Sequence, residues 1–275
     1  MASYLSQFNY QLYGPDEGRK WVFLHGLMGY GLNWRKIATA LASTERVLTF
    51  DQRGHGQSMK PVTGYAPEDY ADDLALILEE LGWSKIILVG HSLGGRNAIM
   101  FAHKFPEKVE RLVIEDIGPD SRPEAPEYYR TLLGLVPTPF QSKLRAKEFF
   151  MNEFPKLAQN YDQPQTLGSY FYSNIIENPD GTADWRFSKE AMIMSVVQGR
   201  AQDHWKELRA LPMPTLVIRG ENSKDLTREV FQRMALSNPH IQGKEVAQSG
   251  HWVHYDQPEA FIKLLKEFTG LGPIE

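Results

Sequence analysis

Ser92 stands in the stretch LVGHSLGGRNA, where an apolar run meets a Gly-x-Ser-x-Gly step and a new apolar pattern begins. A serine hydroxyl is almost wholly protonated near neutral pH and is a poor nucleophile. It attacks a carbonyl only when a general base takes its proton and an acid orients that base. The spacing fits a nucleophile elbow, in which a serine on a sharp strand-to-helix turn stands above a sheet edge. Gly90 and Gly94 leave room for strand and helix to pack around such a turn. A tight turn with an inert serine would use the same residues, so the motif needs partners elsewhere in the chain.

The base should be a histidine on a late loop that follows the last strand. His251 meets that description in AQSGHWVHYDQPEAF, and His254, three residues on, is its competitor. A loop leaving the strand directly projects over the sheet's C-terminal edge, which favours His251. His254 is expected to pack or cap near the start of the last helix. The oxyanion needs two backbone N–H donors, one from the residue after the nucleophile. Leu93 is that residue, and the glycine-rich loop of FLHGLMGYGLNW offers Leu27 as the second donor. His25 is read as a loop-stabilising residue. Two aspartates are eligible as the acid: Asp116 ends the run RLVIEDIG, and Asp225 follows the run TLVIRGE. Glu115 should face away from Asp116 by strand alternation, and Glu221 lies almost within its strand. Asp225 also stands at the start of LTREVFQRMA, where a carboxylate suits a helix N-terminus. The residues leave both aspartates open.

The elements that must position these groups are legible as alternating patterns. KWVFLHG, RVLTFDQRG, KIILVGH, RLVIEDIG and TLVIRGE are short, nearly continuous apolar runs, with KEVAQSGH a weaker last one. Such runs suit strands buried on both faces. FNYQLYG alternates and suits an antiparallel edge strand. Between the runs, PEDYADDLALILEELG and QPEAFIKLLKEFTG carry apolar residues at helical spacing and end in glycine. The alternation predicts an α/β fold, a mostly parallel sheet covered by helices. It breaks after Ile117, where GPDSRPEAPEYY opens a helical, aromatic stretch without a strong strand run, and strands resume at Thr215. We therefore expect a core of residues 1–118 and 209–275 interrupted by a helical cap of residues 119–208. The cap's aromatics, Phe149, Phe150, Phe154, Tyr170, Phe171, Tyr172, Trp185 and Phe187, should mostly form its own core, with a minority facing the pocket.

Composition narrows the classes further. The 275 residues can bury a core without staples. The absence of cysteine excludes disulfides, thiolate metal sites and a cysteine nucleophile. A formal net charge of −4 gives no basic footprint for nucleic acid and no polybasic signal for a membrane surface. MASYLSQFNYQLYG has no secretory n-region or h-region, and no window approaches a spanning helix. A cytoplasmic protein with a small-molecule partner is the expectation, and serine chemistry of this kind needs neither a metal nor an organic cofactor.

With Ser92, His251, the His25-Gly26 loop and the interrupted strand order in place, the chain resembles the α/β-hydrolase superfamily. DQRGHGQS, from Asp51 to Ser58, resembles that superfamily's D-x-R-G-H-G-x-S segment. Through HGLMGYGLNW, EDIGP, DWRF, GENS and GHWVH it is most similar to the small esterases of the YbfF/ABHD11 type. The resemblance implies a serine hydrolase that cleaves carboxylic esters of short to medium acyl chain through Ser92, His251 and an aspartate. It implies Asp51, Arg53 and His55 as structural residues around Gly54 and Gly56. Many members carry the acid three residues after the strand-ending glycine, but that place, counted from Gly220, is Ser223 here. Asp116-Ile117-Gly118-Pro119 matches the Asp-Ile-x-Pro segment of the YbfF-like esterases, which sets Asp116 ahead of Asp225. Hydrolysis of a C–C bond, lactone or thioester, and cofactor-free peroxidation, use the same three residues. A receptor-like binding protein is the more remote alternative.

Overall fold

The computed structural model describes residues 3–161 and 163–272. The apolar runs form β1 (Tyr10–Tyr13), β2 (Lys20–Leu24), β3 (Arg46–Phe50), β4 (Ile86–His91) and β5 (Val109–Glu115). After a long excursion containing β6 (Ile175–Glu177) and β7 (Ala183–Trp185), β8 (Thr215–Gly220) and β9 (Ile241–Val246) follow. Seven strands make one sheet in the order β1-β3-β2-β4-β5-β8-β9. β1 runs antiparallel at the edge, as its alternating pattern predicts, and the other pairs are parallel. Every residue of β4 is buried because helices cover both faces of the sheet.

Strand alternation divides the core into two layers. Trp21, Phe23, Ile87 and Val89 face α1 (Arg35–Leu41) and the C-terminal helix. Val22, Leu24 and Leu88 face α2 (Pro67–Glu80) and α3 (Leu93–Lys104). α2 stops where the sequence predicts: Leu81 closes it and Gly82 follows at φ +67°, a left-handed conformation that glycine adopts without a Cβ clash.

Between β5 and β8 the chain leaves the sheet as α4 (Ala125–Gly134), α5 (Lys143–Glu148), α6 (Phe154–Leu157), α7 (Pro164–Ser173), α8 (Lys189–Arg200) and α9 (Trp205–Arg209). Phe149, Phe150, Phe154, Phe171, Trp185 and Phe187 are buried together in a third apolar cluster. β6 and β7 pair there as an antiparallel hairpin that hydropathy alone does not reveal. Each is three residues long, too short for alternation to register. The readable signal is the Pro-Asp-Gly turn, with Gly181 at φ +85° and the Thr182 N–H donating to Asp180 Oδ1 at 3.0 Å.

Arg96, on α3, ties both ends of this β5–β8 segment to the sheet. Its guanidinium is buried and donates to the main-chain oxygens of Gly118 (2.9 Å), Asp120 (3.0 Å) and Gln202 (3.1 Å). The chain returns through β8 to α10 (Arg228–Leu236), then through β9 to α11 (Val253–Asp256) and α12 (Pro258–Thr269). Among the described residues, no helix is long and apolar enough to cross a membrane.

Candidate active site

Parallel strands end at one edge, so the loops after β4, β5, β8 and β9 converge there. Ser92 directly follows β4 and caps α3 at φ +51°, ψ −116°, a backbone state rare for residues other than glycine. Its N–H donates to Glu115 O at 3.0 Å, which fixes the turn to β5. The turn also needs glycine next to it. A Cβ on Gly94 would stand 2.3 Å from Leu24 O, and one on Gly26 would stand 2.7 Å from His91 Nδ1. The loop after β2 therefore lies directly against Ser92. Among the described residues, neither the Leu27 N–H nor the Leu93 N–H has an acceptor.

His251 follows β9 and is largely buried, its side chain 14% exposed. Its Nδ1–H donates to Asp116 Oδ2 at 2.8 Å, leaving Nε2 for another partner. Asp225 Oδ2 stands 3.5 Å from the same Nδ1. The two aspartates differ in what surrounds them. Asp116 is fully buried at φ +52° and also accepts from the Gly220 N–H (3.0 Å) and from the Ser223 hydroxyl. Asp225 is 36% exposed and takes Arg122 Nη1 at 3.5 Å on its other oxygen.

Burial raises the Asp116 carboxyl above the ordinary carboxylate range, and bonds from His251, Ser223 and Gly220 only partly offset it. Burial would raise Asp225 too, but His251, Arg122 and Arg200 outweigh it and hold that carboxyl low. Burial alone would lower His251; Asp225, Asp116 and Glu115 instead push it up to about 9.

The neighbouring histidines are occupied elsewhere. His91, the residue before Ser92, donates from Nε2 to the His251 main-chain oxygen at 2.9 Å and so fixes the His251 loop. Burial, with His251 and His254 nearby, holds His91 well below the usual histidine range. His254 turns to the other face of the sheet, where its N–H and Nδ1–H reach the Glu115 carboxylate at 2.8 and 2.9 Å. His25 donates from Nδ1 to Gly26 O (2.8 Å) and accepts the Gln52 N–H on Nε2 (2.9 Å). Asp51 accepts from the Gly31 and Gln57 N–H groups, and Arg53 pairs with Asp73. The carboxylate expected at the start of LTREVFQRMA is not its cap: Thr227 caps α10, and Asp225 precedes it.

A cavity of about 370 Å³ opens onto Ser92 and His251. Leu27 and Met28 form part of one wall, and Tyr129, Leu132 and Tyr170 reach in from the β5–β8 segment. The Tyr170 hydroxyl donates to Leu27 O at 2.9 Å, and its ring packs 5.3 Å from Trp252. Sequence reasoning missed the parts played by Ser223, His91, Arg96 and Tyr170. Only Ser223 left a trace, as a hydroxyl where a carboxylate is common. Among the described residues, no group of three or more His, Asp or Glu side chains could hold a metal ion.

A serine on a strand-to-helix turn at positive φ, a carboxylate-bound histidine and a glycine-rich loop meet at one edge of the parallel sheet. The chain belongs to the alpha/beta hydrolase fold family, whose pattern it matches over residues 22–258. It is 28% identical over 247 residues to the 2-(acetamidomethylene)succinate hydrolase of Mesorhizobium japonicum, covering 90% of this chain and 86% of that one. It is 28% identical over 260 residues to the sn-1-specific diacylglycerol lipase ABHD11 of Mus musculus, covering 90% and 80%. The crystal structure of E-2-(acetamidomethylene)succinate hydrolase superposes with a TM-score of 0.82 at 28% identity, over 96% of this chain and 95% of that one.

Proposed function

We propose that this chain is a serine hydrolase that cleaves carboxylic esters of short to medium acyl chain, with Ser92 as nucleophile, His251 as base and Asp116 as acid. The hydrogen bond of 2.8 Å between His251 Nδ1 and Asp116 carries the reading, because it holds the imidazole tautomer whose Nε2 can accept a proton. Ser92 Oγ bonds to the carbonyl carbon as its proton passes to Nε2, and the carbonyl oxygen becomes an oxyanion held by the Leu27 and Leu93 N–H groups. Collapse of that intermediate expels the alcohol, which takes the proton back from Nε2. Water then gives a proton to Nε2 and its oxygen to the acyl carbon, and a second collapse frees the acid and Ser92.

Asp116 is preferred to Asp225 as the acid for two reasons. It is the closer to Nδ1, and its remaining oxygen sites are filled by Ser223 and Gly220, which hold it still. The β5–β8 segment acts as a cap, since its Tyr129, Leu132 and Tyr170 wall the cavity. A volume near 370 Å³ lies at the small end of ligand sites, roughly 300–1,000 Å³. That supports a compact substrate, nearer in size to the substituted succinate of one relative than to the diacylglycerol of another.

The test is turnover of p-nitrophenyl acetate and butyrate, with labelling by a fluorophosphonate probe, beside Ser92→Ala. The wild type should hydrolyse and label, and the variant should do neither. A wild type that neither turns over nor labels would overturn the reading.

A further inference from the structure

The cavity at Ser92 holds more positive charge than the proposed ester chemistry uses. Arg122 and Arg200, both half-buried, line it. Arg96 lies behind them, its charge already committed to three main-chain oxygens. Among the described residues that line the cavity, the carboxylates are Glu124, which is exposed, and Asp225, which is shared between Arg122 and His251 at 3.5 Å each. Among the described residues, no carboxylate comes within ion-pairing distance of the Arg200 guanidinium. The main chain joins the two positions, the Arg122 N–H donating to Arg200 O at 3.1 Å, and both side chains line the same cavity.

Two partly buried guanidinium groups repel one another and have lost part of their hydration; Asp225, divided between Arg122 and His251, leaves room for a further anion at Arg200. Burial, with the nearby Arg122, holds Arg200 below the usual arginine range, and Tyr129, Asp225 and Glu124 only partly offset it. A guanidinium presents paired N–H donors that match a carboxylate's two oxygens. Met28, Leu132 and Leu167 give part of the wall an apolar face that suits a short hydrocarbon spacer between that carboxylate and the reacting carbonyl.

We propose that the substrate carries a carboxylate received by Arg200 with Arg122, so that the protein acts on short anionic esters such as hemiesters of dicarboxylic acids in preference to neutral ones. The bond cleaved rests on the serine-esterase reading above, whereas the anion site does not.

Monoethyl glutarate and ethyl valerate, nearly equal in size, are compared by pH-stat titration with the wild type, Arg200→Gln and Arg200→Lys. Charge-assisted hydrogen bonds of this kind are worth roughly tenfold to a hundredfold, so kcat/KM should favour the anionic ester by that ratio. Arg200→Gln should shrink the ratio toward one, chiefly through KM, and Arg200→Lys should keep part of it. Glutarate binding to Ser92→Ala is measured by calorimetry. It should be detectable and weaken with added salt, and Arg200→Gln in that background should weaken it at least about tenfold. Binding of glutarate without hydrolysis of either ester supports the anion site and removes the esterase reading. A wild type that prefers ethyl valerate, or glutarate binding that is absent or indifferent to Arg200→Gln, overturns the anion site. Should Arg200→Gln fail to fold, the wild-type ratio, the salt dependence and Arg200→Lys still decide.

Discussion

Two carboxylates flank one imidazole, and removing them singly should have opposite consequences. With Asp116 and Asp225 both in place, His251 is raised from an ordinary 6.5 to about 9, a preference for the imidazolium of roughly 3 kcal/mol. A general base must be neutral, so the acid limb of kcat/KM for the free enzyme should lie toward pH 9. At pH 7 about one molecule in a hundred then carries a competent base. Asp225→Asn removes a charge 3.5 Å from Nδ1 while leaving the Asp116 hydrogen bond. An opposite charge at that range moves a pKa by roughly 1–3 units, so the limb should fall to between about 6 and 8. The variant should thus be about tenfold to a hundredfold more active than wild type at pH 7, with a similar plateau at higher pH. Asp116→Asn should instead cut the plateau by about 10³–10⁴, as loss of the orienting acid does elsewhere. The groups facing the imidazole, Asp116, Asp225, Glu115 and His91, also set the sign for stability. The folded value lies above the unfolded one, so this contribution is complete below about pH 6.5 and is lost as pH rises through about 9. The wild-type melting temperature should therefore decline across that window, and less so in Asp225→Asn. The assay is a pH–rate profile on p-nitrophenyl butyrate, corrected for background hydrolysis. A limb near pH 6.5 that Asp225→Asn does not move would refute the electrostatic reasoning. A plateau lost in Asp225→Asn and kept in Asp116→Asn would reverse the assignment of the acid.

Ser223→Ala removes a hydroxyl donor from buried Asp116; stability should fall by about 1–2 kcal/mol in urea titrations. Asp116 becomes more basic without that donor, so the acid limb should move to higher pH. Tyr170→Phe frees the Leu27 carbonyl and loosens the proposed donor loop; kcat should drop about fivefold with KM nearly unchanged. Arg96→Leu leaves three main-chain oxygens at the ends of the β5–β8 segment without their donor. Unfolding free energy should fall by roughly 3–5 kcal/mol, and limited proteolysis should cut first near residues 118–124 and 200–204.

Local chemistry made most of the fold readable. β4 is apolar at nearly every position, and β5 is so from Leu112 to Ile114, because both faces are covered there; that continuity is visible in KIILVGH and RLVIEDIG. The β6–β7 hairpin escaped notice because strands of three residues carry no periodicity, and its existence depends on pairing with Phe140 as well as on its own turn.

The site divides along the same line. Residue type and spacing alone determined that a serine would stand on a sharp turn after β4, with a histidine after β9 and aspartates after β5 and β8, because strand-to-loop order is written in hydropathy. Which aspartate meets the imidazole is a matter of ångströms across adjacent parallel strands, and no local pattern encodes it. The tertiary structure answers with both: Asp116 hydrogen-bonded and buried, Asp225 close by and shared with Arg122. The convergence of Arg122, Arg200 and Lys224 on one cavity was equally beyond the sequence. Arg122 and Lys224 lie 102 residues apart in the chain, and only the return of the β5–β8 segment over the strand ends brings the three to one cavity.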